Sequence, residues 1–449
     1  MHDAPDGNGG TGGGLTRLTG REWALLLVLG AVQFTHILDF MIVMPLGPQY
    51  MDKAKMALSP PQFGFMVSAY AFSACVSGLL AAWFIDHFDR KKSLLVLYAG
   101  FATGTLLCAV APNYLSLVAA RVVAGGFGGV VNAAVLTIVG DLFHDSRRGR
   151  AMGVLMSAFS VASILGVPTG LELARWFGWR APFAMLGLGS FCVWAGVFFA
   201  LPPVRGHLGE NYLNFLGRFL AVALDRGHLR AYGLMCLLVL GMFTIVPFFA
   251  TYLVTNVGCA ETDLPYMYFC GGLATLLTLQ LVGWLADRFG KLALFRVLAV
   301  LTVLPILLAT NLPPVSLPVM LLVMTLFMAV TSARMVPLMA LVTACAQPKQ
   351  RGSFLSFNAS VQQMAMGVAA YVAGLIIHKE DDGRLTGFPT VGVIAAVTTL
   401  LCAWLAGHLR PAVIHAAEVG PAPRYDLPRA NGDGIQPAAP TEVATGREV

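Results

Sequence analysis

Of the 23 Asp and Glu residues in this 449-residue chain, only Asp39 and Glu172 stand well inside long apolar blocks. A carboxyl group in such surroundings can take up or release a proton as its neighbours change. Desolvation favours the neutral acid and a nearby cation favours the carboxylate. That is the chemistry of proton coupling. Asp39 closes the run Gln33-x-x-His36-x-x-Asp39, whose three-residue steps put polar groups roughly along one helix face. Two basic residues, Arg121 and Arg334, also lie inside apolar blocks. An arginine at the centre of a membrane helix costs at least about 2.5–3.5 kcal/mol, so each is expected to face a partner or water. We expect Asp39 to approach Arg121 across two helices and to exchange its proton during turnover. A buried Asp that merely orders its helix is the competing reading. Glu172 lies near the end of its block and is the weaker candidate.

A binding cavity needs a few polar groups in apolar walls. Gln33, His36, Asn132, Gln280, Arg334, Asn358 and Gln362 fit that role, and Asn358 and Gln362 share a face four residues apart. Taken singly, each is as readily a helix–helix hydrogen bond. Neither His-Glu-x-x-His nor Gly-x-Ser-x-Gly occurs, and Gly125–Gly129 is followed by no Gly-Lys-Ser/Thr, so neither an enzyme nor ATP hydrolysis is expected. The eight cysteines show no Cys-x-x-Cys or Cys/His spacing, so no metal or cofactor is expected.

These residues require helices to position them. Hydrophobic residues make up 57% of the chain and charged residues 12%, with a mean hydropathy of +0.73. The apolar residues fall in twelve blocks of about 20, from Trp23–Leu46 to Phe388–Leu409, the length that crosses a ~30 Å hydrocarbon core. Lipid offers no partner to backbone groups, so the blocks must be helices. The expected fold is an all-α membrane protein of twelve transmembrane helices in two pseudo-symmetric six-helix bundles, residues 22–201 and 231–410. A linker at 202–230 joins them, and disordered tails at 1–21 and 411–449 flank them. The first block is expected to be a retained signal anchor. Of 29 Lys and Arg residues, 21 fall on the side of the tails and six opposite. The bias places both termini in the cytoplasm. The basic residues are spread over short loops, so no nucleic-acid partner is expected, only a bilayer and a small solute.

The halves echo each other. Arg148-Gly149 recurs as Arg351-Gly352, and Asp86-His87-Phe88-Asp89-Arg90 as Asp287-Arg288-Phe289-Gly290-Lys291. The second copy, with Gly283 at its head, resembles the inner-loop signature of the major facilitator superfamily. The first copy has Ala82 and Asp89 where that signature has glycines, but keeps Asp86, Arg90 and Lys91. A carboxylate beside a basic cluster can lock adjacent helices in one state and release them in another. Leu117, Arg121, Ala124-Gly125 and Phe127-Gly128-Gly129 resemble the superfamily's fourth-helix signature. Gly166-Val167-Pro168-Thr169-Gly170 is similar to the fifth-helix signature of its antiporters, with Val167 interrupting the pattern. Gly166, Pro168 and Gly170 should bend that helix and allow close packing. The resemblance, closest at Leu38–Leu46 to the twelve-span drug/metabolite:proton antiporters and sugar-efflux permeases, implies a monomeric secondary transporter of the inner (plasma) membrane. The resemblance further implies export driven by a proton gradient. An uptake permease for a sugar, carboxylate or other metabolite stays open; a channel or sensor would need a pore-loop repeat or a soluble domain.

Overall fold

The computed structural model describes residues 19–84, 88–143, 145–204, 221–347 and 350–409. The N-terminal tail up to residue 18, most of the linker, Asp86 and the C-terminal tail lie outside them. Among the described residues, twelve helical segments are long and apolar enough to cross a bilayer. They are α1 (Gly20–Ile42), α2 (Pro60–Ala81), α3 (Arg90–Val110), α4 (Tyr114–Leu142), α5 (Arg147–Phe177) and α6 (Arg180–Ala200) in the first half. The second half holds α7 (Arg226–Val257), α8 (Glu261–Phe289), α9 (Lys291–Thr310), α10 (Leu317–Thr343), α11 (Arg351–Ile376) and α12 (Phe388–His408). With twelve crossings, α1 begins and α12 ends on one face, the tail face; the opposite one is the far face.

Local chemistry sets the ends. Thr19 and Glu22 form a reciprocal capping box at the start of α1, and Asn113 and Ser116 do so for α4. Asp225 accepts from the backbone N–H groups of Gly227 and His228, which starts α7 at Arg226, five residues before the expected boundary. The expected loop before α12 contains a two-residue antiparallel pairing, His378↔Thr386 and Lys379↔Leu385. Asn256 holds it by bonding both the N–H and the C=O of Leu385 at 2.9 Å.

In three helices an irregularity falls four residues before a proline, and one physical reason accounts for it. Proline has no N–H to give the carbonyl four residues before it. In α5, Pro168 follows a π-turn at Ala162–Gly166 that contains Ile164. In α7, Pro247 follows the end of the first helical piece at Phe243. In α10, Pro337 follows a break between Ala333 and Met335. Helix α10 is therefore interrupted at Arg334.

The described residues between 19 and 409 form one compact unit, because the halves pack along two symmetry-related seams, α2 on α11 and α5 on α8. The α2–α11 seam is built from small residues. A Cβ on Gly64 would come within 2.5 Å of the Ala370 carbonyl oxygen, and Ser68 Oγ donates to Gly367 O at 2.7 Å. Toward the far face the halves are also bridged by rings. Phe63 meets Phe248 at 5.4 Å between centroids and Phe40 meets Phe243 at 5.9 Å. Lys379 Nζ donates to Met51 O at 2.6 Å. The molecule is closed on its far face.

Candidate functional site

The structure brings Asp39 and Arg121 together. Asp39 is the fourth residue from the end of α1, and Arg121 lies seven residues into α4, about 10 Å along its axis from the far face. Arg121 Nη1 donates to Asp39 Oδ2 at 2.8 Å, and the residues are 1% and 0% exposed. Thr105 Oγ1 on α3 donates to the other carboxylate oxygen at 3.1 Å. The guanidinium lies 4.3 Å from the centroid of the Tyr70 ring on α2, a cation–π contact that favours the charged arginine. The Tyr70 hydroxyl is 3.3 Å from His36 Nε2, and the His36 ring packs on Phe101. One helix turn deeper, Gln33 Nε2 donates to Asn132 Oδ1 at 2.5 Å. Four helices thus converge on one ion pair.

Glycine makes the convergence possible. A Cβ on Gly128 would stand 2.7 Å from the Tyr70 hydroxyl and 3.2 Å from His36 Cδ2. Gly125 packs directly on the Tyr70 carbonyl and Ser73. With side chains at these positions α4 could not lie on α2, and Arg121 would not reach Asp39.

The sequence model of the Major Facilitator Superfamily matches residues 29–220 and 231–439. The chain belongs to the major facilitator superfamily. It is 26% identical over 337 residues to the uncharacterized MFS-type transporter YbcL of Bacillus subtilis (strain 168), covering 74% of this chain and 83% of that one. It is 27% identical over 372 residues to the inner membrane transport protein YdhP of Escherichia coli (strain K12), covering 80% and 90%. Its fold matches a bacterial homolog of the human lysosomal transporter Spinster, solved inward-facing and occupied. That match has a TM-score of 0.69 at 14% identity, over 88% of this chain and 97% of that one.

Within this major facilitator protein the remaining candidates take several places. Glu172 is not at the ion pair; its side chain is 41% exposed and meets Arg175 at 3.3 Å and Trp176 Nε1 at 3.3 Å. Gln280 is exposed and Gln362 half-buried, while Asn358 and Arg334 are buried in the second half. Gly166 and Gly170 pack α5 on α1; a Cβ on them would come within 2.7 Å of Leu38 and 2.6 Å of Ile42. Gly166 is also the last residue of the irregular turn.

At the tail face, Asp89 caps α3 by accepting from Lys91 N at 2.9 Å and also accepts from Val204 N at 3.4 Å. Arg90 Nε reaches Asp141 at the end of α4, 3.3 Å away. Lys91 Nζ lies 5.5 Å from the Phe198 ring centroid. In the matching loop, Arg288 lies over Trp284 and Phe289, and Gly290, at φ +86°, ends α8 immediately before Lys291 opens α9. Gly283 has open space where its Cβ would be.

Sequence reasoning missed Thr105 and Asp141. Each is a short polar residue near a helix end whose partner depends on how helices are rotated about their axes. It also missed Cys108, which is buried beside Arg121.

Proposed function

We propose that this protein is a proton-coupled exporter of a small organic solute that works by alternating access. The observation that carries the reading is the Asp39–Arg121 pair. Among the described residues, Asp39 is the one carboxylate wholly buried in a span, and it is bonded to an arginine that cannot release a proton. A proton on Asp39 and the ion pair exclude each other. Water admitted from the far face when that face opens has about 10 Å to travel along α4. A proton taken up there releases Arg121 toward Tyr70; restoring the pair sends the proton on.

The 21-to-6 distribution of Lys and Arg supports an orientation with both termini in the cytoplasm, in the inner (plasma) membrane. The closed far face is then the external one. The glycine-packed α5, with its π-turn before Pro168, supports export by its similarity to the antiporter signature. We propose further that the protein acts as a monomer, draws on the proton gradient and uses no bound cofactor.

Purified protein in liposomes loaded with pyranine tests the proposal, with drugs, sugars, amino acids and carboxylates offered in turn. At least one class is expected to move protons through the wild type and not through Asp39→Asn. Undiminished proton-driven flux in Asp39→Asn would sink the reading.

A further inference from the structure

We propose that Arg334 holds an anionic group of the transported solute, a carboxylate gripped along one edge of its guanidinium. The proposal rests on the transport reading above and names the substrate class.

Arg334 is 1% exposed and sits where α10 is interrupted. Its Nη1 donates to Thr399 Oγ1 on α12 at 2.6 Å. Nε and Nη2 are buried with no acceptor. Those two nitrogens form one edge of the guanidinium, and their parallel N–H bonds match the spacing of two carboxylate oxygens. The Thr399 hydroxyl gives its own proton to Ala395 O at 2.7 Å, so it is a neutral acceptor and leaves the charge unbalanced.

Among the described residues no carboxylate is placed to balance it. The described acids of the second half, Glu261, Asp263, Asp287, Glu380, Asp381 and Asp382, stand at span ends or in loops. Arg334 is nine residues from the tail-face end of α10, about 14 Å along the axis. Arginine cannot become neutral by losing its proton. In the first half Arg121 has the same burial and does have a carboxylate. The first pair cancels, whereas Arg334 is a buried charge with no compensating carboxylate among the described residues. An anionic solute removes that imbalance, whereas a cationic one adds to it.

The surroundings suit a ligand with further polar groups. Thr331 Oγ1, one turn before Arg334, and both side-chain heteroatoms of Asn358 on α11 are buried without partners. Leu338, one turn toward the tail face from Arg334, and Phe354, one turn toward it from Asn358, belong to one packed cluster with Tyr232, Met235 and Cys402. Arg334 and Asn358 therefore stand in the same layer, just beyond that cluster. The nine-residue piece Met335–Thr343 also starts here, and its N-terminus adds positive potential at the same point.

The test is thermal unfolding of the purified full-length protein with matched probes: sodium benzoate against benzamide, sodium gluconate against sorbitol, and sodium phosphate, all at constant ionic strength. A carboxylate is expected to stabilise the wild type more than its neutral counterpart. Arg334→Gln should weaken that binding about 10-fold or more while unfolding no earlier than wild type without ligand, a result a merely structural arginine would not give. Arg334→Lys should bind weakly, having the charge without the edge, and it carries the test if Arg334→Gln fails to fold. Asp39→Asn should keep anion binding while losing proton coupling, which separates the two readings. The proposal is overturned if neutral probes stabilise as well as anions, if no probe anion stabilises the wild type, or if anion binding survives Arg334→Gln. Protection by phosphatidylglycerol in place of the soluble anions would assign the site to a lipid headgroup and overturn it too.

Discussion

Replacing Asp39 by Asn keeps the shape of the side chain and removes one charge. The partner is 2.8 Å away and 1% exposed, so bulk solvent cannot replace what is lost. Two unit charges at that distance attract by about 6 kcal/mol at an effective dielectric of about 20, part of which offsets the cost of burying them. Breaking a buried pair by removing one partner costs about 3–5 kcal/mol, because the other charge is left behind. Thr105 can still donate to an amide oxygen, so that bond adds little to the loss. Asp39→Asn should therefore lose about 3–5 kcal/mol. Arg121→Gln should lose less, since a lone carboxyl can take up a proton and become neutral. The double variant should be more stable than Asp39→Asn alone. Denaturant titration in mixed micelles, followed by tryptophan fluorescence, gives the four free energies of the cycle. If the two single losses add within about 0.5 kcal/mol, the pair does not act as a unit and the reasoning fails.

Gly128→Val should displace Tyr70 and His36 and abolish proton movement while the protein still inserts, as the liposome assay would show. Gly64→Leu should pry α2 from α11 at the far face and lengthen the distance between spin labels at positions 53 and 381; an unchanged distance would count against the seam as described. Burial, with Asp263 nearby, pushes the Cys259 thiol up to about 12. Its thiolate fraction at pH 8 is then about a thousandfold below that of an ordinary thiol, and maleimide labelling of Cys259 should be slower by about that factor. Gly290→Ala forces a side chain into a positive-φ position and should cost about 1–3 kcal/mol, read in the same denaturant titration.

The spans were legible because lipid leaves a long apolar block one option, the helix. Asp39 and Arg121 were legible because charges inside such blocks are few and must find each other. Helix rotation was not legible. Nothing in Thr105 itself distinguishes it from Thr103, yet Thr105 bonds the carboxylate and Thr103 bonds the carbonyl of Ala99. The bend of α5 was placed at Gly166–Gly170, whereas the irregular turn is at Ala162–Gly166. The shift follows from proline, which disturbs the carbonyl four residues before it rather than its own position. The break at Arg334 has the same origin in Pro337.

Helix α2 belongs to two assemblies at once. Its Tyr70 covers the Arg121 guanidinium, and its Gly64 and Ser68 lie against α11. Helix α2 can tilt away from α11 only by carrying Tyr70 with it, so the far-face seam and the proposed proton site share a single rigid body. Thermodynamic reciprocity then fixes a quantity: whatever factor opening multiplies the proton affinity by, protonation must multiply the opening equilibrium by the same factor. On the proposed reading, coupling needs no relay of intermediate residues, and its strength can be measured from either end.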